Sequence, residues 1–227
     1  MFDRKVPFSL VWHNAKHPLC LPIVNIYFDL LSFNTDSIIL GAASLGLVVT
    51  YPLMKRITYW PQAFLGMTFN WGALLGYAAV QGSCDWSVCL PLYFAGINWT
   101  LIYDTIYAHQ DKADDVLIGV KSTALLFGDQ TKFWLAGFGA LLLSSLVLVG
   151  INSDQTWPYY VGLGCVACHL AWQIKNVDLS KSSDCLSKFK SSKWLGLILF
   201  ASIVGGTLVK KSTDREETEE TQSKTKL

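Results

Sequence analysis

Charge is scarce in this chain: Asp, Glu, Lys and Arg make up 15% of its 227 residues, against 52% hydrophobic and 13% aromatic. That balance excludes an ordinary soluble domain. The formal net charge of +1 says nothing by itself, and no nucleic-acid partner is expected. No internal repeat of fixed period is present. Neither a secretory signal nor an Arg-rich, acid-poor presequence is evident, since Asp3 arrives early and basic residues are sparse near the start.

What the chain has is long apolar runs. Six segments, near 37–53, 62–80, 88–107, 133–151, 157–177 and 193–209, are long enough to span about 30 Å of hydrocarbon. The expected fold is therefore all-α, a polytopic transmembrane helical bundle. Small residues (Gly41, Ala42, Ala43, Ser44 and Gly46 in the first segment, Gly137, Gly139 and Ala140 in the fourth) suggest close helix approach. If the six helices alternate, one face and its bordering helix ends carry Lys55, Arg56, Lys112, Lys121, Lys132, Lys175, Lys181, Lys188, Lys190 and Lys193. The opposite connections, 81–87 and 152–156, carry no Lys or Arg. Such asymmetry fixes orientation by the positive-inside rule.

Three domains follow: an atypical segment at 1–36, a membrane domain at 37–209, and a charged tail at 210–227 that reads as disordered and solvated. Residues 19–33 are apolar but interrupted by Pro22, Asn25 and Asp29, which suits a short, partial or interfacial helix. The six cysteines make no metal site. Cys165 and Cys168 form a CxxC inside an apolar helix and read as small packing residues, while Cys84 and Cys89 share a short loop and could pair in an oxidising compartment. His169 reads as a core hydrogen-bonder. His109 is either a substrate contact or simply a polar helix end.

The chemistry concentrates where an apolar segment runs into carboxylates, Tyr103-Asp104-Thr105-Ile106-Tyr107-Ala108-His109-Gln110-Asp111-Lys112-Ala113-Asp114-Asp115. On one helix, Asp104, Asp111 and Asp115 would share a face. Such a stack at a membrane boundary is costly unless a cation compensates it. An acidic run after a membrane helix is ordinarily a solvated loop, and a Lys-Arg pair is ordinarily a topology determinant. Their convergence on one face points further, because Mg²⁺ in protein sites takes one or two carboxylates plus substrate phosphates. Lys55 and Arg56 would complete a phosphate cradle. A diphosphate with a lipid tail fits such a mouth. Phe69, Trp71, Tyr77, Trp99, Tyr103 and Tyr107 could stabilise a carbocation through their ring faces, or serve as belt and packing residues.

The strings Thr50-Tyr-Pro-Leu-Met-Lys-Arg-Ile-Thr58, Pro61-Gln-Ala-Phe-Leu-Gly66, Phe69-Asn-Trp-Gly72 and the stretch from Tyr103 to Ala124 closely resemble the UbiA-type intramembrane prenyltransferases. Within that superfamily they are most similar to the mitochondrial 4-hydroxybenzoate polyprenyltransferases of ubiquinone biosynthesis. The resemblance implies a nine-helix bundle, of which this chain supplies the last six, set in the mitochondrial inner membrane with its active-site loops on the matrix side. It implies polyprenyl diphosphate and 4-hydroxybenzoate as substrates, membrane lipid as surroundings, Mg²⁺ as cofactor, and possible association with other ubiquinone-biosynthesis proteins. Asp111 and Asp115 would be the metal ligands, with Asp104 beside them in the catalytic set. Lys55, Arg56 and Lys121 would bind diphosphate, and Asn70, Tyr103 and Tyr107 would line the aromatic substrate's cavity.

One departure stands out. The family's first Asp-rich motif, NxxxDxxxD, should precede residue 37 by several dozen residues, and only 36 are available. Asn25 and Asp29 have half the spacing, but position 33 is Phe. The expectation is that residues 1–36 are unrelated to the family and that one metal-binding wall is absent. Two readings follow: a prenyltransferase whose turnover falls short of a full-length member, or an inactive truncated isoform serving as a membrane interaction partner.

Overall fold

The computed structural model describes residues 35–225. The segment at 19–33, with Asn25 and Asp29, lies outside the described residues. Among those described the chain is helical throughout, with no strand: α1 (Thr35–Ile57), α2 (Pro61–Gln81), α3 (Trp86–Ala108), α4 (Lys112–Ile118), α5 (Thr123–Phe127), a 3₁₀ turn (Gly128–Gln130), α6 (Thr131–Asn152), α7 (Trp157–Asn176) and α8 (Ser182–Thr225).

All six expected spanning segments form helices. Four, Thr35–Ile57, Pro61–Gln81, Thr123–Asn152 and Ser182–Thr213, are both long and apolar enough to cross a membrane by composition alone. The other two, α3 and α7, are 23 and 20 residues long, sufficient to span, but carry more polar groups. They can do so because they are interior. Asn98, Thr100 and Thr105 of α3 and Gln173 of α7 are buried against protein and hydrogen-bonded there rather than facing lipid.

Burial spacing explains the bundle. On α6 the buried positions Leu135, Phe138, Leu142 and Leu146, and on α7 Tyr159, Leu163, Val166 and Leu170, recur every three or four residues, one stripe per helix. These stripes close around Leu101, Ile102 and Ile106 of α3 to make the core. The hydroxyl of buried Tyr159 donates to the Leu146 carbonyl at 2.7 Å. The small residues that permit close approach are not the ones the composition singled out. A Cβ at Gly41, Gly46 or Gly137 would meet nothing within 4 Å, whereas at Gly96 it would collide with Asn70 and at Gly150 with the Tyr159 ring.

The two ends of the bundle are chemically distinct, as the alternation predicts. At one end Lys132 Nζ donates to the Lys175 carbonyl (3.1 Å) and Arg56 Nη1 to the Ile118 carbonyl (2.9 Å). At the other, Asn152 Nδ2 donates to the Ser87 carbonyl (2.6 Å) and Lys210 approaches Asp154 at 3.6 Å. Two boundaries move. The connection expected at 178–192 is mostly helix, because α8 begins at Ser182. The tail expected to be disordered continues α8 to Thr225, since extending an existing helix needs no new nucleus and Glu, Lys, Arg and Gln are good helix formers.

Gly96→Ala is expected to destabilise the bundle by about 1–3 kcal/mol through overpacking against Asn70, read as a lower melting temperature in detergent. Gly137→Ala, with open space around the new methyl, should be neutral or slightly stabilising. Equal melting temperatures for the two variants would contradict the close α2–α3 contact.

Candidate active site

The site grows out of the end of α1. A helix leaves its last carbonyls without intrahelical partners. Here the chain returns from α4 to satisfy them: the Lys121 amide donates to the Lys55 carbonyl at 2.9 Å, and Lys121 Nζ to the Ile57 carbonyl at 3.1 Å. Arg56 reaches the other way, to the Ile118 carbonyl. Gly119, at φ 70°, makes the left-handed turn that ends α4, with Val120 N bonding back to the Asp115 carbonyl at 2.9 Å. Side chains on α1 and backbone beyond α4 thus hold one another.

This clasp closes a cavity of roughly 210 Å³. Lys55 and Lys121 line it, as do Asp104, Asp111, Asp115 and Tyr107, so six of the nine residues singled out in the sequence meet at one place. They do not meet as one helical face. The helix breaks after Ala108, and Asp111 stands just before the separate short helix α4 without a capping side-chain bond, so the seven-residue spacing from Asp104 to Asp111 crosses a turn. The break has a visible cause in burial. Thr105, Ile106 and Ala108 are buried in the core, whereas Val116, Leu117 and Ile118 are exposed, so the chain leaves the bundle between them.

Among the described residues no ammonium comes within ion-pairing distance of these three carboxylates. Cations and anions face each other with space between. For Asp115, burial raises the carboxyl above its ordinary value; the Ser122 hydroxyl opposes, Asp111 pushes upward again, and Lys55 opposes. Buried Gln62 and Ser122 and half-buried Tyr51, which sequence reasoning missed, complete the lining. Gln62 Oε1 accepts from the Thr123 amide at 3.0 Å. Only its place one turn after α1, beside the cationic pair, could have signalled it.

Three residues fall elsewhere. Arg56 is held on the Ile118 carbonyl and does not line the cavity. Asn70 lies between α2 and α3, donating to the Gly66 carbonyl at 2.8 Å and to Thr100 Oγ1 at 3.0 Å. Tyr103 bonds Thr100 Oγ1 at 3.1 Å and packs on Trp99 and Phe189. Of the aromatics, Trp71 bonds the Leu40 carbonyl and packs edge-on against Tyr93, whereas Phe69 is exposed on α2, and neither lines the cavity. His169 is not the expected hydrogen-bonder: its Nε2 is buried without a partner and its ring tilts against Trp172. His109 turns from the carboxylates to Thr131 Oγ1 at 3.1 Å.

Among the described residues no three His, Cys, Asp or Glu side chains converge to hold a metal by themselves. The donor set still fits Mg²⁺, which commonly takes only one or two carboxylates and completes its shell with substrate phosphates and water. Asp111 and Asp115, hard oxygen donors on one cavity wall, supply that number.

Residues 19–204 match the UbiA prenyltransferase family. The chain belongs to this family. The match begins at residue 19, so Asn25 and Asp29 fall inside it. The chain is 65% identical over 187 residues to the 4-hydroxybenzoate polyprenyltransferase, mitochondrial, of Bos taurus, covering 82% of this chain and 50% of that one. It is 60% identical over 206 residues to the protein of the same name from Rattus norvegicus, covering 91% and 54%. The chain therefore spans about half the length of these relatives. A solved structure of a UbiA homolog from Aeropyrum pernix K1 superposes with a TM-score of 0.62 at 21% identity, covering 79% of this chain and 66% of that one, which shows a shared fold.

Burial and neighbouring Lys112 push His109 down to about 4, from an ordinary 6.5. Below pH 6.5 the unfolded chain therefore binds a proton that the folded chain refuses, so stability falls with pH down to about 4 and then levels. The melting temperature is expected to drop across that window, and His109→Gln to flatten the drop. An unchanged slope in the variant would contradict the buried, neutral imidazole.

Proposed function

We propose that this chain carries a diphosphate-binding wall of an intramembrane prenyltransferase, which transfers a polyprenyl group from polyprenyl diphosphate to the aromatic ring of 4-hydroxybenzoate in ubiquinone biosynthesis. The observation that carries this reading is the cavity in which Lys55 and Lys121 face Asp104, Asp111 and Asp115 without pairing. Opposed charges left apart in a half-buried cavity are costly unless a ligand bridges them. A diphosphate would accept from both lysines, and Asp111 and Asp115 would hold Mg²⁺, which would supply neutralising positive charge.

In this reading Lys55 and Lys121 bind the diphosphate and stabilise the charge it gains as the allylic C–O bond breaks and the electron pair leaves with oxygen. The ring carbon ortho to the hydroxyl of 4-hydroxybenzoate then bonds to the allylic carbon, and the ring proton passes to a base. Tyr107 and Tyr51 line the same cavity, and their π systems would stabilise an allylic cation formed there. Asp104, in the last turn of α3, sits deepest of the three carboxylates along the span. Arg56 acts as a positioning residue through the Ile118 carbonyl. The relatives' names place them in mitochondria; in this reading the chain sits in the inner membrane with its cation-rich end toward the matrix, by the positive-inside rule.

The test is Mg²⁺-dependent binding of a polyprenyl diphosphate to the lipid-reconstituted chain, followed by transfer to labelled 4-hydroxybenzoate. Asp111→Ala should weaken binding roughly 10- to 100-fold, the worth of a contact to a charged group. Asp114→Ala, whose side chain is exposed and off the cavity, should change it little. Equal losses, or binding indifferent to Mg²⁺, would overturn the assignment.

A further inference from the structure

We propose a second ligand site, separate from the diphosphate cavity: a seat for an anionic phospholipid on the outer side of α6 and α7. Two adjoining hollows define it. One is polar, roughly 670 Å³, at the cation-rich end, and includes Lys112, Lys132, Lys175, Asp129 and Asp178 in its lining. The other is apolar, roughly 620 Å³, lying along α6 and α7 between Ala136, Gly139, Ala140, Ala167 and Ala171. Lys132 and Lys175 belong to both, so the two hollows meet at a pair of ammonium groups.

That shape matches one chemistry. An acyl chain needs an apolar slot inside the hydrocarbon, and a headgroup phosphate needs cations at the boundary. The lysines are placed rather than merely present. Lys132 Nζ is fixed on the Lys175 carbonyl at 3.1 Å, in the last turn of α7, and an ammonium keeps further donors for a phosphate oxygen. The carboxylates do not cancel them. Asp178 is committed to Lys181 at 2.9 Å and to the Ser180 hydroxyl, which hold its carboxyl down to about 2. Asp129 alone remains against three lysines in the lining. The slot is open where glycine and alanine line it, between the larger Leu143, Leu170 and Ile174: a Cβ at Gly139 would touch only Ile174 Cδ1, at 3.9 Å.

The site is tested by native mass spectrometry of the whole chain, released from micelles holding phosphatidylglycerol and phosphatidylcholine with identical acyl chains. Retention should favour phosphatidylglycerol by about tenfold or more, the worth of two lysines near a headgroup. Replacing both lysines (Lys132→Gln with Lys175→Gln) should abolish the preference, and the corresponding Arg pair should keep it. Gly139→Leu should lower phosphatidylglycerol retention severalfold while leaving the melting temperature in lipid-free detergent unchanged. Inorganic phosphate should fail to compete. Equal retention of the two lipids would reduce the seat to ordinary surrounding lipid and overturn the proposal. So would an unchanged preference in the Gln pair, full retention in Gly139→Leu, or displacement by inorganic phosphate alone.

Discussion

Everything in the candidate site depends on the tie between Lys121 and the end of α1. Its amide and its ammonium together occupy the Lys55 and Ile57 carbonyls, which a helix C-terminus otherwise leaves to solvent. Because Asp115 and Lys121 are joined through the tight turn at Gly119, fixing Lys121 also fixes how far Asp111 and Asp115 stand from Lys55. Release the tie and α4, seven residues long with its apolar side chains exposed, has little else to hold it. The Arg56 bond to Ile118 is the remaining restraint on the same turn.

The rest of the bundle positions that junction. α3 is gripped by α2, α6 and α8, and its last turn enters the site with Asp104 and Tyr107. Its polar residues are tolerable because protein, not lipid, surrounds them. Thr105 shares a 2.7 Å hydrogen bond with Thr123 at the start of α5, and Gln62 receives the Thr123 amide, so α2, α3 and α5 meet on one residue directly behind the cavity. The constraint is economical in groups: two threonines and one glutamine register three helices against the charged mouth.

Much of this was legible in the sequence because it depends on quantities that sequence carries well. Apolar run length placed six helices, and the partition of Lys and Arg sorted their connections into two ends that the structure keeps apart. The convergence of Lys55 with Asp111 was visible from alternation alone. What was hidden depends on tertiary contact. The break after Ala108 follows from where the core ends, which periodicity cannot see. Arg56 reads as a phosphate ligand by charge, yet a carbonyl from α4 lies within reach of it. Asn70 reads as a cavity residue, yet Gly96 and Thr100 enclose it. Small residues were counted correctly, but which of them touch another helix is fixed only by the rotation of each helix about its axis.

Hydrogen–deuterium exchange at the Lys121 amide, in the lipid-reconstituted chain without substrate, tests the central claim most directly. If the tie assembles the cavity, this amide exchanges far more slowly than an unstructured one, and Arg56→Ala speeds it together with the amides of α4 while those of α6 remain protected. Exchange at the unprotected rate in the unaltered chain would contradict the account, because the cations and carboxylates would then have nothing holding them at one cavity.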